Sequence, residues 1–115
     1  MSSQVVEQTP SSLARRAYIL LRLVEELENV RGGVNTAYGA EQCNKLLEAT
    51  QQLAASDPDI LGFLNDIRPL DTQFHPFYAG RLAAEANIFL ARVKGTLRAI
   101  IGLYMDKKER HRLGV

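Results

Sequence analysis

The stretch PFYAGRLAAEANIFLARVKGTLRAIIGLYM, residues 76–105, is the longest uninterrupted helical pattern in the chain. When its residues are placed at the period of an α-helix, the large apolar ones fall within one arc. This pattern predicts a long helix that packs on a hydrophobic core, with shorter helices arranged around it. The residues of the arc are Ala79, Leu82, Ala83, Ala86, Phe89, Leu90, Val93, Leu97, Ile100, Ile101 and Tyr104.

Small residues follow a second line along the same helix, on the side away from the apolar arc. This small-residue line consists of Gly80, Ala84, Ala91, Gly95 and Gly102. An interior glycine costs a helix about 1 kcal/mol relative to alanine, so glycines repeated on one line call for a reason. Small residues four apart allow another backbone to approach closely. We expect this line, with Arg92 and Arg98 at its rim, to bind a partner. The alternatives are packing on another helix of the same chain and simple exposure to solvent.

Three more helices are predicted on the N-terminal side of the long one. The first runs over 10–30, with Thr9 or Ser11 as its cap. Its apolar seam is Leu13, Ala17, Leu20, Val24 and Leu27, widened by Ile19, Leu21 and Leu23. Near its end, Arg22 and Arg31 are spaced to pair with Glu26 and Glu28.

The second helix is predicted over 36–55, with a buried stripe along one face. Asp57, followed by Pro58, is a capping signal for a short third helix, which Pro69 ends. The pattern therefore predicts an all-α fold: an antiparallel four-helix bundle with a short third helix and a long C-terminal helix. The stripe of the second helix is Cys43, Leu46, Leu47, Thr50, Leu53 and Ala54.

The chain divides into three parts. Residues 1–9 are polar and are expected to form a flexible N-terminal arm. Residues 10–105 form the helical bundle domain, since 115 residues suffice for one core. Residues 106–115 are a charged C-terminal tail that either extends the long helix or frays.

Composition restricts the classes of function. The lone cysteine, Cys43, excludes an internal disulfide and favours a reducing, cytoplasmic setting. The sequence has no apolar run long enough for a membrane span. One cysteine and two histidines do not make a usual zinc site, and there is no glycine-rich phosphate loop. No cofactor or catalytic residue is predicted, and an enzymatic function is not favoured.

Nucleic-acid binding is the second interpretation. The net charge is only +1, yet residues 81–112 hold eight basic and three acidic residues. Basic side chains of this kind contact phosphates. They are Arg92, Lys94, Arg98, Lys107, Lys108, Arg110 and Arg112, and on the predicted helix they spread around its axis instead of forming a single stripe.

Arg68 and His75 are separated by six residues in a small all-helical chain. This spacing loosely resembles the Arg-x(4–6)-His motif of the HEPN ribonuclease superfamily, whose subunits pair to act on RNA. The resemblance covers the motif and the helical class alone. It departs from the family pattern at Pro69 and Pro76, which follow the arginine and the histidine. It implies an RNA-directed helical module as an alternative function.

The function expected from the sequence is that of a non-enzymatic interaction, adaptor or assembly protein. It would present the small-residue line to another protein or, as a homodimer, to a second copy of the chain.

Overall fold

The computed structural model describes residues 9–29, 37–73 and 79–115. This part of the chain contains five α-helices and one 3₁₀ turn, and no strand occurs in it. The predicted all-α class is confirmed, although the bundle was expected to have four helices. The elements are α1 (Pro10–Asn29), α2 (Ala37–Ala54), α3 (Pro58–Leu61), the 3₁₀ turn Gly62–Leu64, α4 (Ala79–Tyr104) and α5 (Lys107–Leu113).

The core lies between the three long helices. α1 and α4 share the most extensive contact, and α2 packs against both. The predicted stripe of α2 is buried throughout, and the arc of α4 is buried or half-buried at each described side chain. Val93 and Leu97 of α4 are fully enclosed, as are Val24 of α1 and Cys43 of α2. Apolar periodicity alone therefore predicts the buried faces of α2 and α4.

α1 begins at the predicted cap, where the Thr9 hydroxyl accepts a hydrogen bond of 3.1 Å from the Ser12 N–H. Its buried face differs from the predicted one in part. Ile19 and Leu23, expected to widen the apolar surface toward the core, are 57% and 45% exposed. They lie on a side of α1 that α2 and α4 leave uncovered.

α3 is fixed at its start by Asp57, whose side chain accepts hydrogen bonds from the Asp59 and Ile60 N–H groups. The segment after the 3₁₀ turn is held against α2 by one side chain. Asn44 accepts from the Leu70 N–H at 2.7 Å and donates to the Leu70 carbonyl at 2.9 Å. This double contact positions the chain that leads toward α4.

The C-terminal segment forms a helix of its own and does not continue α4. Asp106 is extended, with φ −56° and ψ 137°, and its carboxylate accepts a hydrogen bond from the Lys108 N–H. Gly114 ends α5 with φ 74°, a left-handed conformation that glycine adopts without strain. Met105 is buried and Leu113 packs on the core, so this turn folds α5 back on the bundle.

Several predictions fall on residues 1–8, 30–36 and 74–78, which lie outside the described part of the chain. They include the flexible arm, the pairing of Arg31 and the position of His75. Among the described helices, none combines the length and the apolar character that a membrane crossing requires.

Candidate interaction surfaces

The small-residue line lies on the outside of α4. Ala84, Ala91, Gly95 and Gly102 are all exposed, and Gly80 belongs to the first turn of the helix. A methyl group added at Gly95 or at Gly102 would meet no heavy atom of another described element within 4 Å. No described helix therefore packs on these glycines. Among the described residues, this excludes packing within the chain, one of the two alternatives to partner binding. Solvent exposure remains the other.

Ile88 completes this line, although it was not among the residues predicted from the sequence. It lies four residues after Ala84 and three before Ala91, on the same side of α4. It is 66% exposed, which is unusual for a large apolar side chain in the middle of a long helix. We call the set Ala84, Ile88, Ala91, Gly95, Arg98 and Gly102 the α4 outer face. Its spacing of four and three residues is that of a helix-packing seam.

Arg92, predicted at the rim of this surface, is engaged within the chain. Its guanidinium donates to both oxygens of Asp66, with distances of 2.8 and 2.6 Å, and to the Phe63 carbonyl at 3.0 Å. These hydrogen bonds lower the pKa of Asp66 and raise that of Arg92. Arg92 thus ties α4 to the 3₁₀ turn. Its part in binding a partner stays a prediction.

Arg98, the other predicted rim residue, makes no ion pair with a described residue and is exposed. It borders a shallow groove of about 250 Å³ that Leu21, Gly102 and Val115 also line. Arg98 is therefore the charged group of the α4 outer face that is available to an acidic partner residue.

A second apolar surface lies on α1. Arg16, Ile19, Leu23 and Glu26 are exposed and follow each other at intervals of three, four and three residues. They share one side of the helix, and we call them the α1 outer face. Two grooves border Ile19, one of about 300 Å³ beside α2 and one of about 290 Å³ beside α5. Sequence spacing contained this signal, but it was assigned to the core.

One ion pair of α1 differs from the predicted one, and the predicted pairing of Arg31 lies outside the described residues. Arg22 pairs with Glu25 at 3.2 Å instead of with Glu26. Glu28 pairs with Lys94 of α4 at 3.0 Å, and Arg15 with Glu109 of α5 at 3.7 Å. Arg16 and Glu26 are the charged residues of α1 for which the described part of the chain supplies no ion-pair partner.

Some of the basic residues considered for nucleic-acid binding form ion pairs within the chain. Arg92 and Lys94 are paired with acids, and Arg112 lies 3.4 Å from Glu109. Arg68 of the HEPN-like spacing is exposed in the irregular segment after the 3₁₀ turn. His75 lies outside the described residues, so the proximity of this pair stays a prediction.

Cys43 carries a side chain that could act as a nucleophile or as a metal ligand. Its burial reduces both capacities. The side chain is fully buried, and desolvation raises the pKa of its thiol to about 11. A thiol that stays protonated at neutral pH is a poor nucleophile and a poor metal ligand. Within the described residues no three of the His, Cys, Asp and Glu side chains cluster closely enough to hold a metal ion.

Comparisons of the chain with protein-family models, with curated proteins and with solved structures found no match.

Proposed function

We propose that this protein is a non-enzymatic interaction or adaptor protein that binds a helix of another protein on the α4 outer face. The observation that carries the proposal is the exposure of Ile88 among small residues on the longest helix. In this proposal the long helices form the antiparallel bundle expected from the sequence, with α4 as the presenting element.

The shape of the face supports a helical partner. Ala84, Ala91, Gly95 and Gly102 leave depressions along α4, and Ile88 projects between them. A partner helix with Leu-sized side chains at a similar spacing would place them over the glycines and receive Ile88 between two of its turns. Small residues bring the two backbones close, which increases the contact area per turn.

The charge of the face restricts the partner further. Arg98 is its single charged member, and no described residue forms an ion pair with it. An acidic side chain on the partner, placed opposite Arg98, would set the register of the two helices more than it would add to affinity. The partner that fits is an amphipathic helix with an apolar seam and at least one flanking Glu or Asp.

The test replaces Gly95 with Leu and compares the proteins captured from cells of the source organism by the wild-type chain and by the variant. Because a Cβ atom at Gly95 meets no neighbouring described residue within 4 Å, the leucine is expected to fill the partner's site without disturbing the fold. Gly62→Leu is the matched control. Gly62 is also exposed, has ordinary helical φ and ψ values, and has open space around it.

The expected result is at least one protein captured by the wild type and by Gly62→Leu but lost with Gly95→Leu. Calorimetry with the recombinant partner should then show similar affinities for the wild type and Gly62→Leu and a lower affinity for Gly95→Leu. If all three chains capture the same proteins to the same extent, the α4 outer face is not a binding surface.

Nucleic-acid binding remains the alternative proposal. Because Arg92 and Lys94 form ion pairs with acidic residues, fewer basic side chains are available to contact phosphates than the sequence suggested. A nucleic-acid binder would lose affinity steeply with salt and with truncation after Met105, whereas a binder using the α4 outer face would lose it with Gly95→Leu.

A further inference from the structure

The α1 outer face has an arrangement that complements itself. Its four residues read, in order, basic, apolar, apolar and acidic, as Arg16, Ile19, Leu23 and Glu26. The intervals of three, four and three residues are the same in either direction. A second copy of α1 laid antiparallel on the first would therefore place Ile19 against Leu23 and Arg16 against Glu26, each twice.

We infer that two copies of this chain associate through the α1 outer face, with their α1 helices antiparallel about a twofold axis that passes between Ile19 and Leu23. Each of the two contacts repeats by symmetry, as an isologous interface requires. A parallel pairing would oppose Arg16 to Arg16 and Glu26 to Glu26, so the charges select the antiparallel arrangement.

Three observations point to a second copy as the occupant. Ile19 and Leu23 remain 57% and 45% exposed, so the apolar centre is uncovered within the chain. The other charged residues of α1 have ion-pair partners, while Arg16 and Glu26 have none among the described residues. Those two unpaired charges are the ones that the twofold arrangement brings together.

The flanks of α1 leave room for this pairing. The groove beside α2 is lined by Ala49, Gln52 and Leu53, and the groove beside α5 by Met105 and Leu113. Both are lined mainly by apolar surface, and Ile19 lines each of them. Side chains of the second helix would enter them on either side of Ile19, in the way ridges and grooves interlock between helices.

This inference does not depend on the proposed function, because it uses a different helix. The two would combine into a dimer that keeps both α4 outer faces uncovered, since α1 packs on α4 with its opposite side. The homodimer expected from the sequence is thereby assigned to α1 instead of to the small-residue line.

The test is sedimentation equilibrium of the full chain from about 10 µM to about 1 mM, the range in which an interface of this small size associates. Wild-type chain is expected to dimerise with rising concentration. Arg16→Glu and Glu26→Arg are each expected to weaken association about tenfold or more, since each opposes like charges at both ends of the pair. Glu48→Arg on the exposed side of α2 is the control and should leave association unchanged.

The decisive sample is an equal mixture of Arg16→Glu and Glu26→Arg. One chain then carries carboxylates at positions 16 and 26 and the other carries guanidinium groups, so a mixed dimer has only opposite charges in contact. It should associate at least as tightly as the wild type, whereas either variant alone should associate more weakly than the wild type. The double variant Arg16→Glu/Glu26→Arg should also regain self-association.

The inference fails if the wild-type chain stays monomeric over this range, or if a dimer forms that neither charge change weakens. It fails as well if the mixture associates no better than its components. A dimer broken by Gly95→Leu and unaffected by these changes would assign self-association to the α4 outer face instead.

Discussion

Tyr104, the last residue of α4, donates a hydrogen bond of 2.8 Å from its hydroxyl to Oδ2 of Asp57, the residue that caps α3. The other oxygen of the same carboxylate, Oδ1, accepts from the Asp59 and Ile60 N–H groups. One side chain thus starts α3 and joins it to the end of α4. These contacts lower the pKa of Asp57 and raise that of Tyr104.

Tyr104→Phe should lower the Tm by a few degrees at neutral pH, with a marked dependence on pH. Asp57 has a depressed pKa in the folded chain, so its contribution is lost as the pH falls below about 3.9. Tyr104 has a raised pKa, so its contribution is lost as the pH rises above about 10. The difference in Tm between wild type and variant should therefore become smaller at both acid and alkaline pH.

Thermal unfolding followed by circular dichroism across this pH range measures the effect. Tyr38→Phe is the control, because Tyr38 is 66% exposed. A difference in Tm that stays constant from acid to alkaline pH would contradict the role given to the hydrogen bond.

The Arg92–Asp66 pair makes a second prediction. Arg92→Ala should return the pKa of Asp66 toward its usual value and lower the Tm by at most about 4 °C, because both side chains are solvent-exposed. Arg92→Lys should have a smaller effect, since lysine keeps the charge but loses the two-point contact. The Asp66 carboxyl titration by NMR gives the pKa directly.

Arg98→Ala is the control for this pair, as Arg98 has no ion-pair partner in the described chain. It should change neither the pKa of Asp66 nor the Tm. If Arg92→Ala leaves the Asp66 titration where it was, the two groups are not paired in solution.

Asn44 provides a third prediction, at the contact between α2 and the connecting segment. Asn44→Ala removes both hydrogen bonds to Leu70 and should destabilise the chain by about 1–3 kcal/mol. Hydrogen exchange at the Leu70 amide should accelerate far more than exchange in the centre of α4. Gln52 is an exposed residue on the same helix, so Gln52→Ala should change neither the stability nor the exchange of the Leu70 amide.

Cys43 gives a fourth prediction, about reactivity. Because its thiol is buried and its pKa is raised to about 11, it should react with a thiol reagent at pH 8 far more slowly than the unfolded chain does. Labelling with and without denaturant, followed by mass spectrometry, measures the ratio. Rapid labelling of the native chain would place Cys43 outside the core.

The helices that the sequence predicted well are those set by local signals. Asp57 and Pro58 define the start of α3 because capping depends on neighbouring residues alone. The buried arc of α4 follows from periodicity. The separate α5 was missed although Asp106 is a capping residue, since the burial of Met105 that accompanies the turn is a tertiary effect.

The candidate surfaces depended on information that periodicity does not hold. The partner of Arg92 is 26 residues away in sequence, so its engagement could not be anticipated. Ile19 and Leu23 have the spacing of a seam, but spacing does not say whether a neighbouring helix covers it. That depends on how many helices surround α1, which only the assembled fold decides.

Gly95→Leu makes the last prediction, and it separates stability from binding. Leu is a far better helix former than Gly, and open space surrounds the site. The free energy of unfolding should therefore rise by about 0.5–1 kcal/mol, measured by urea denaturation. Leu97→Ala, two positions along the helix but fully buried, should lower it by about 2–5 kcal/mol. A destabilised Gly95→Leu would mean that another part of this chain covers the α4 outer face, and loss of a partner with that variant would then reflect the fold.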